Sequence, residues 1–258
     1  MNIDMAAETL LQNWWAETRI DGLPAACRPG SREEGYAIAA RIAERSGHPV
    51  AGWKIAATSG AGQRHINVEG PLIGRILSHR LMRPGSRVTL GDNIMRVAEA
   101  EFAFGFSADL PPGGRDYSME EAMAAISSLH LSIEVPDSRY SDFTKVGAAQ
   151  LIADTACASW LVLGPAVTAQ WRGLDLSAHA VTGFRNGEKA AEGSGKAVLG
   201  DPRLALTWFV NEAARCCGGV KAGEFVTTGT CIVPLAITTG DHVLIDYGSL
   251  GSIDAAII

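Results

Sequence analysis

The sequence predicts an α+β fold: a rolled or sandwiched, mainly antiparallel β-sheet preceded by a small helical region. Three observations predict it. Helical periodicity is concentrated in the first ~45 residues. Beyond residue 50, short alternating stretches follow one another, separated by Gly and Pro. These strands outnumber the later helices and do not alternate with them regularly, which argues against a doubly wound α/β sheet. The chain therefore divides into a helical N-terminal region, residues 1–49, and a β-rich domain, residues 50–258.

The elements follow in order. Residues 6–17 carry Leu10, Leu11, Trp14 and Trp15 on one side of a helix. A loop with Gly22, Pro24, Pro29 and Gly30 leads to Ser31, which with Glu34 forms a capping box for a second helix bearing Tyr36, Ile38, Ala39 and Ile42. Gly47 ends that helix, and Pro49 cannot continue it. Strands are expected over residues 52–58, 96–106, 130–135, 160–163, 178–185, 224–228 and 242–247. Two helices interrupt them. One starts at Ser118, is capped by Glu121 and runs to about Ser128. The other starts at Asp201, has Pro202 in its first turn, carries Leu204, Trp208 and Val210, and stops at Gly218.

Composition removes several function classes. With 258 residues, 47% of them hydrophobic, the chain can bury a large core. Its net charge is −6 with no basic block, which excludes the concentrated Lys/Arg face that nucleic-acid binding needs. Residues 1–15 contain Asp4 and Glu8 and lack the basic start of a secretory signal. The best apolar run, residues 157–167, is broken by Gly164 and Pro165 and falls far short of the ~20 residues that span a bilayer. The cysteines, Cys27, Cys157, Cys216, Cys217 and Cys231, are odd in number and form no CxxC pair. That argues for reduced thiols, a cytoplasmic location, and neither a disulfide framework nor a zinc knuckle.

The stretch Val97-Ala98-Glu99-Ala100-Glu101-Phe102-Ala103-Phe104 is the most informative. On a strand, Ala98, Ala100, Phe102, Phe104 and Phe106 share one face. Glu99 and Glu101 share the other, among the small or apolar residues Val97, Ala103 and Gly105. Glu134 sits similarly, with Leu131, Ile133 and Val135 turned away from it. Three carboxylates without thiolates or paired His form a hard-ligand set, suited to Mg²⁺, Mn²⁺ or Ca²⁺ rather than Zn²⁺. An exposed polar face fits the same alternation. Lys54, in Gly52-Trp53-Lys54-Ile55-Ala56, shares a face with Gly52, Ala56 and Thr58. If buried it can act as an acid/base or anchor a carboxylate; otherwise it snorkels at a sheet edge.

Some motifs fail. Gly193-Ser194-Gly195-Lys196 lacks the phosphate-loop glycine at Ala190 and the hydroxyl at Ala197. Gly248-Ser249-Leu250-Gly251 reads as a hairpin turn and not a nucleophile elbow. Cys216-Cys217 reads as packing at a helix end.

Several segments occur together in a telling order: Gly52-Trp53-Lys54-Ile55-Ala56-Ala57-Thr58-Ser59 with Gln63, Glu99-Ala100-Glu101-Phe102-Ala103-Phe104, Ile133-Glu134-Val135-Pro136-Asp137-Ser138-Arg139, and Ala153-Asp154 before Leu161-Val162-Leu163-Gly164. Asn186-Gly187-Glu188, Leu199-Gly200-Asp201-Pro202 with Trp208 and Asn211, and Lys221-Ala222-Gly223 complete the series. From about residue 50 onward the chain resembles the 2-keto-4-pentenoate hydratases and 4-oxalocrotonate decarboxylases of the fumarylacetoacetate hydrolase superfamily.

The resemblance implies that superfamily's rolled sheet. It also implies one Mg²⁺ or Mn²⁺ on Glu99, Glu101 and Glu134, Lys54 as catalytic residue, and Ser59, Gln63, Arg139 and Asp154 as substrate-binding residues. The implied reaction is hydration of 2-hydroxy-2,4-dienoates to 4-hydroxy-2-oxo acids in aromatic catabolism. Alternatives are decarboxylation of oxo diacids, with Arg64, Arg75 or Arg139 as second anion site, C–C hydrolysis of acylpyruvates, and a non-catalytic partner subunit. The implied partners are a small 2-oxo or enol acid, other copies of the chain in a homo-oligomer, and a second enzyme of the same pathway. No membrane or nucleic acid is among them. The chain departs from the common pattern at Leu72, Thr155 and Cys231.

Overall fold

The computed structural model describes residues 1–258. Two helices open the chain, α1 (Ile3–Trp15) and α2 (Arg32–Arg45). Then come β1 (Val50–Ala56), α3 (Gly60–His65), β2 (Leu72–Leu77), the two-residue strands β3 (Leu81–Met82) and β4 (Arg87–Val88), and β5 (Val97–Phe106). α4 (Met119–Ala124), β6 (Ile126–Val135), α5 (Ala148–Ala153), β7 (Trp160–Ala166), β8 (Ala180–Arg185) and β9 (Glu188–Ser194) follow. The chain closes with α6 (Pro202–Cys216), β10 (Phe225–Thr230), β11 (Leu235–Ala236), β12 (His242–Asp246) and β13 (Ser252–Ile257). No helix is long and apolar enough to cross a membrane.

The strands form two sheets. The larger runs β2-β1-β10-β5-β6-β7-β3, with β11 also paired to β5, and the smaller runs β4-β13-β12-β8-β9. Pairing is mainly antiparallel, as expected, with parallel contacts at β1–β10, β3–β7 and β4–β13. The alternation along β5 holds: Ala98, Ala100, Phe102 and Phe104 are wholly buried in the main core. The opposite face is enclosed as well, because Glu101 and Ala103 are also buried.

α1 and α2 form a second core through Leu10, Leu11, Trp14, Ile38 and Ile42, which they share with Leu77, Tyr140 and Ala153 of the later chain. Trp15, at the end of α1, stays exposed. The capping box expected at Ser31 is only half made. The Ser31 hydroxyl accepts from the Glu34 N–H, but the Glu34 carboxylate takes the Gly30 N–H. The box at Ser118 and Glu121 is complete.

One expectation needs correction, and several strands lie outside the expected set. The helix from Ser118 stops at Ala124, because residues 126–135 pair with β5 along their whole length, from Phe106↔Ile126 to Glu99↔Glu134. β2, like β9 and β13, lies outside the expected strands. Its residues are buried on both faces, so the period-2 signal is absent.

β2 packs on an unusual turn. Thr155, Ala156 and Cys157 all have positive φ, at 47°, 52° and 61°. This conformation is costly for residues with a Cβ, above all for a β-branched one. Thr155 is pinned there. Its hydroxyl accepts from the Arg75 N–H at 2.5 Å and donates to the Arg75 carbonyl at 3.0 Å. Gly74 makes room, since a Cβ there would strike the Thr155 carbonyl oxygen. Gly74→Ala is therefore expected to cost about 1–3 kcal/mol, seen as a lower urea midpoint at unchanged m-value.

Candidate active site

Four neighbouring strands of the larger sheet bring the site together. β1 supplies Lys54, paired in register with Thr227 of β10. β5 supplies Glu99 and Glu101, two residues apart and so on one face. β6 sets Glu134 directly opposite Glu99. The ligand oxygens of Glu99, Glu101 and Glu134 lie within 4.8 Å of one another. Lys54 Nζ lies 2.5 Å from Glu134 Oε1, with the two side chains 3% and 0% exposed. The snorkelling alternative for Lys54 is thereby excluded.

This is an electrostatically unfinished cluster. Like charges placed opposite each other on paired strands repel, and three carboxylates face one ammonium. Burial and then the charge of Glu134 push the Glu99 carboxyl up to about 7, with Lys54 opposing. Burial, Glu134 and Glu99 raise Glu101 as well. Burial disfavours the charge on Lys54, but Glu134, Glu99 and Glu101 outweigh it and hold the ammonium above its ordinary value.

Hydrogen bonding is incomplete too. Glu101 Oε2 accepts from the Gly229 N–H at 2.9 Å, yet Glu101 Oε1 and both Glu134 oxygens are buried without an aligned donor. The Lys54–Glu134 contact is close but not directed as a hydrogen bond. Orphaned buried carboxylate oxygens are costly unless something positive meets them. An all-oxygen donor set with surplus negative charge fits a hard divalent cation.

The backbone beneath is fixed from the smaller sheet. The Tyr247 hydroxyl reaches the Glu101 and Ser132 carbonyls at 3.0 and 3.1 Å, and Ser132 Oγ donates to the Glu101 carbonyl at 3.0 Å.

Lys54, Glu99 and Glu101 open onto a cavity of about 730 Å³, and Glu134 lies beneath them. Leu72 and Cys231 are on its wall, whereas Thr155 stands behind it. Burial pushes the Cys157 thiol up to about 12 and raises Cys231 as well, so neither cavity cysteine is a ready thiolate.

Of the four expected substrate contacts, only Ser59 is on the wall, and its hydroxyl caps α3 by accepting from the Gly62 N–H. Gln63 is turned away and donates to the Ala57 carbonyl at 3.1 Å. Arg139 and Asp154 are buried off the cavity. Asp154 accepts from Arg139 Nε, the Arg139 N–H and Ser138 Oγ, and the guanidinium also reaches the Ala158 carbonyl and stacks on Trp14 at 4.2 Å. The polar groups of this pair are already engaged inside the protein, so the pair is a brace. Neither Arg64 nor Arg75 lines the cavity, and the Arg75 guanidinium lies over Trp53 at 4.8 Å. His65 is on the wall with no acidic partner and meets Phe143 edge-on.

The sequence missed the segment 192–197, which walls one side. The signal was present in the rejected phosphate-loop run. A Cβ at Gly193 would strike the Cys231 carbonyl oxygen and one at Gly195 the Leu176 carbonyl oxygen, so these glycines permit close packing and do not cradle a phosphate.

The family model for the fumarylacetoacetate (FAA) hydrolase C-terminal region matches residues 67–258. This chain belongs to the fumarylacetoacetate hydrolase family. It is 30% identical over 218 residues to a 4-oxalocrotonate decarboxylase of Pseudomonas putida, covering 84% of this chain and 81% of that one. It is 32% identical over 204 residues to a 2-hydroxyhexa-2,4-dienoate hydratase of Comamonas testosteroni, covering 78% and 76%. The structure of the 4-oxalocrotonate decarboxylase from Pseudomonas putida G7, complexed with magnesium and adipate, superposes with a TM-score of 0.89 at 27% identity, covering 99% of this chain and 97% of that one.

The charge imbalance yields a test. Mg²⁺ at about 100 times its Kd is expected to add ~2.7 kcal/mol of stability, several degrees in Tm. Glu101→Gln should raise the Tm of the metal-free protein and remove most of the Mg²⁺ response. An equal Mg²⁺ shift in both proteins would place the cation elsewhere.

Proposed function

We propose that this chain hydrates 2-hydroxy-2,4-dienoates to 4-hydroxy-2-oxo acids, with Glu99, Glu101 and Glu134 holding a divalent cation, Mg²⁺ or Mn²⁺. The observation that carries the reading is the cluster of three carboxylates and one ammonium in which Lys54, Glu99 and Glu101 form the floor of a deep cavity and Glu134 lies beneath them. A 2-oxo acid offers adjacent carboxylate and keto oxygens, which suit such a floor. A bound cation supplies Lewis-acid stabilisation of negative charge on the enolate oxygen.

The chain's own residues do the rest. Lys54 is held by Glu134 and keeps further N–H donors for the substrate carboxylate, which it anchors and orients. Conversion of the dienol to the conjugated ketone moves the proton of the 2-hydroxyl to C5, and the Lys54 ammonium, held charged by the three carboxylates, stabilises the negative charge carried in between. Water then adds its hydroxyl at C4 and a proton at C3. Leu72, Ile55 and Ala156 wall the floor and limit access of bulk water.

Hydration is favoured over decarboxylation by the charge distribution. An oxo diacid needs a second anion site, and the three candidate arginines are off the wall, with only Lys196 exposed at the rim. Acylpyruvate hydrolysis is disfavoured because His65 lacks an acidic partner to activate water. Homo-oligomeric assembly belongs to the same proposal and is read from the particle mass by light scattering.

Metal-stripped protein mixed with 2-hydroxypenta-2,4-dienoate is expected to bleach the diene's ultraviolet absorbance only after Mg²⁺ or Mn²⁺ is added. Glu101→Gln and Lys54→Met should each lower the rate by at least about 100-fold. Absence of decay with this dienoate and with its 5-alkyl and 5-phenyl derivatives, in a protein that binds the cation, would sink the hydratase reading and leave the decarboxylase, hydrolase and non-catalytic alternatives standing.

A further inference from the structure

The cavity is larger than a five-carbon dienoate requires. At about 730 Å³ it falls within the ~300–1,000 Å³ of pockets that enclose drug-sized ligands. Its polarity is uneven. The charged groups Lys54, Glu99 and Glu101 are gathered at the floor. Above them the wall is built from Ile66, Leu72, Met95, Leu151, Ile232 and Val233. Leu72 and Leu151 are wholly buried, so the apolar surface begins deep inside, and it continues out to Val233, which is 74% exposed at the rim.

The remaining charged wall residues are peripheral. Glu192 and Lys196 are exposed at the mouth, and Glu192 is already paired with Lys189. No buried cation stands ready for an anionic tail, whereas apolar walls reward an apolar one at roughly 0.8 kcal/mol per buried methylene, about a fourfold gain each.

We infer that the substrate carries a bulky uncharged alkyl or aryl substituent at the end remote from its carboxylate, and that this group lies along the wall formed by Leu72, Met95, Leu151 and Ile232. The head-group chemistry rests on the hydratase reading; the apolar tail rests on the wall alone. Met95, unbranched and polarizable, lets the wall adapt to tails of different shape.

Two series test this in the Mg²⁺-loaded protein. In the first, kcat/KM is measured for 2-hydroxypenta-2,4-dienoate and its 5-methyl, 5-propyl, 5-pentyl and 5-phenyl derivatives. The expected result is a gain of about three- to fourfold per methylene over the first few carbons and at least tenfold for phenyl over hydrogen. In the second, Kd is measured calorimetrically for pyruvate, 2-oxohexanoate, 2-oxooctanoate and the diacid 2-oxoadipate. The expected order is tighter binding with each added methylene, with the diacid weaker than the alkyl acid of equal length.

Met95→Gln should flatten both slopes. A flat or falling slope with tail length, or tighter binding of the diacid, would overturn the inference while leaving the hydratase reading intact. If no dienoate were turned over, the hydratase reading would fail, and the binding series would still decide the tail by itself.

Discussion

Three carboxylates and one ammonium share a patch of sheet from which water is nearly excluded, and much of the surrounding architecture holds them there. Such a cluster is unstable by itself, because each carboxylate raises the charging cost of the others. It survives because the backbone gives it no freedom to disperse. The β5–β6 register fixes Glu99 against Glu134. The Gly229 N–H holds one oxygen of Glu101. Tyr247, arriving from the smaller sheet, ties the carbonyls of Glu101 and Ser132 together. The electrostatic strain is concentrated in the few atoms that a cation would meet.

The same economy appears in how charge is used elsewhere. Arg139 and Asp154 are fully buried but satisfy each other, the Ser138 hydroxyl and nearby backbone. Arg32 reaches both Glu212 of α6 and the Pro71 carbonyl, while Tyr36 donates to Glu212 and accepts from the Ile73 N–H. The helical N-terminal region is thus fastened to β2, the strand that carries Leu72 to the cavity wall. Removing one member of such a buried network leaves the other uncompensated. The contrast with Glu101 Oε1 and Glu134 Oε2, buried with no donor, is what separates bracing charge from reactive charge in this molecule.

The acidic strand was legible because its signal is local. Two Glu residues at i and i+2 among small neighbours declare a shared face whatever the tertiary structure, and Glu134 shows the same habit. Lys54 is ambiguous in the sequence alone, because the carboxylate that engages it, Glu134, lies 80 residues further along the chain on β6. Arg139 and Asp154 lie in the same stretches of sequence as site residues, but their side chains turn to each other, a pairing that no spacing rule encodes. β2 lacked alternation because both its faces are covered. The wall from 192 to 197 escaped notice because its glycines answer to carbonyl groups supplied by residues 176 and 231.

Glu99, Glu101 and Glu134 come from the paired strands β5 and β6, whereas Lys54 and Gly229 come from β1 and β10, which reach them only across long stretches of chain. Contacts of such sequence separation form late and slowly, because loop closure must precede any gain from them. Pairing of β5 with β6 gathers the three carboxylates before β1 and β10 bring Lys54 and the Gly229 N–H, so their mutual repulsion is relieved only by the longer-range closures. A cation able to recognise the finished cluster has no comparable site on the unfolded polypeptide. If such a cation binds there, its concentration would become a variable of the folding equilibrium, coupling the persistence of the native sheet to the supply of a small inorganic ion.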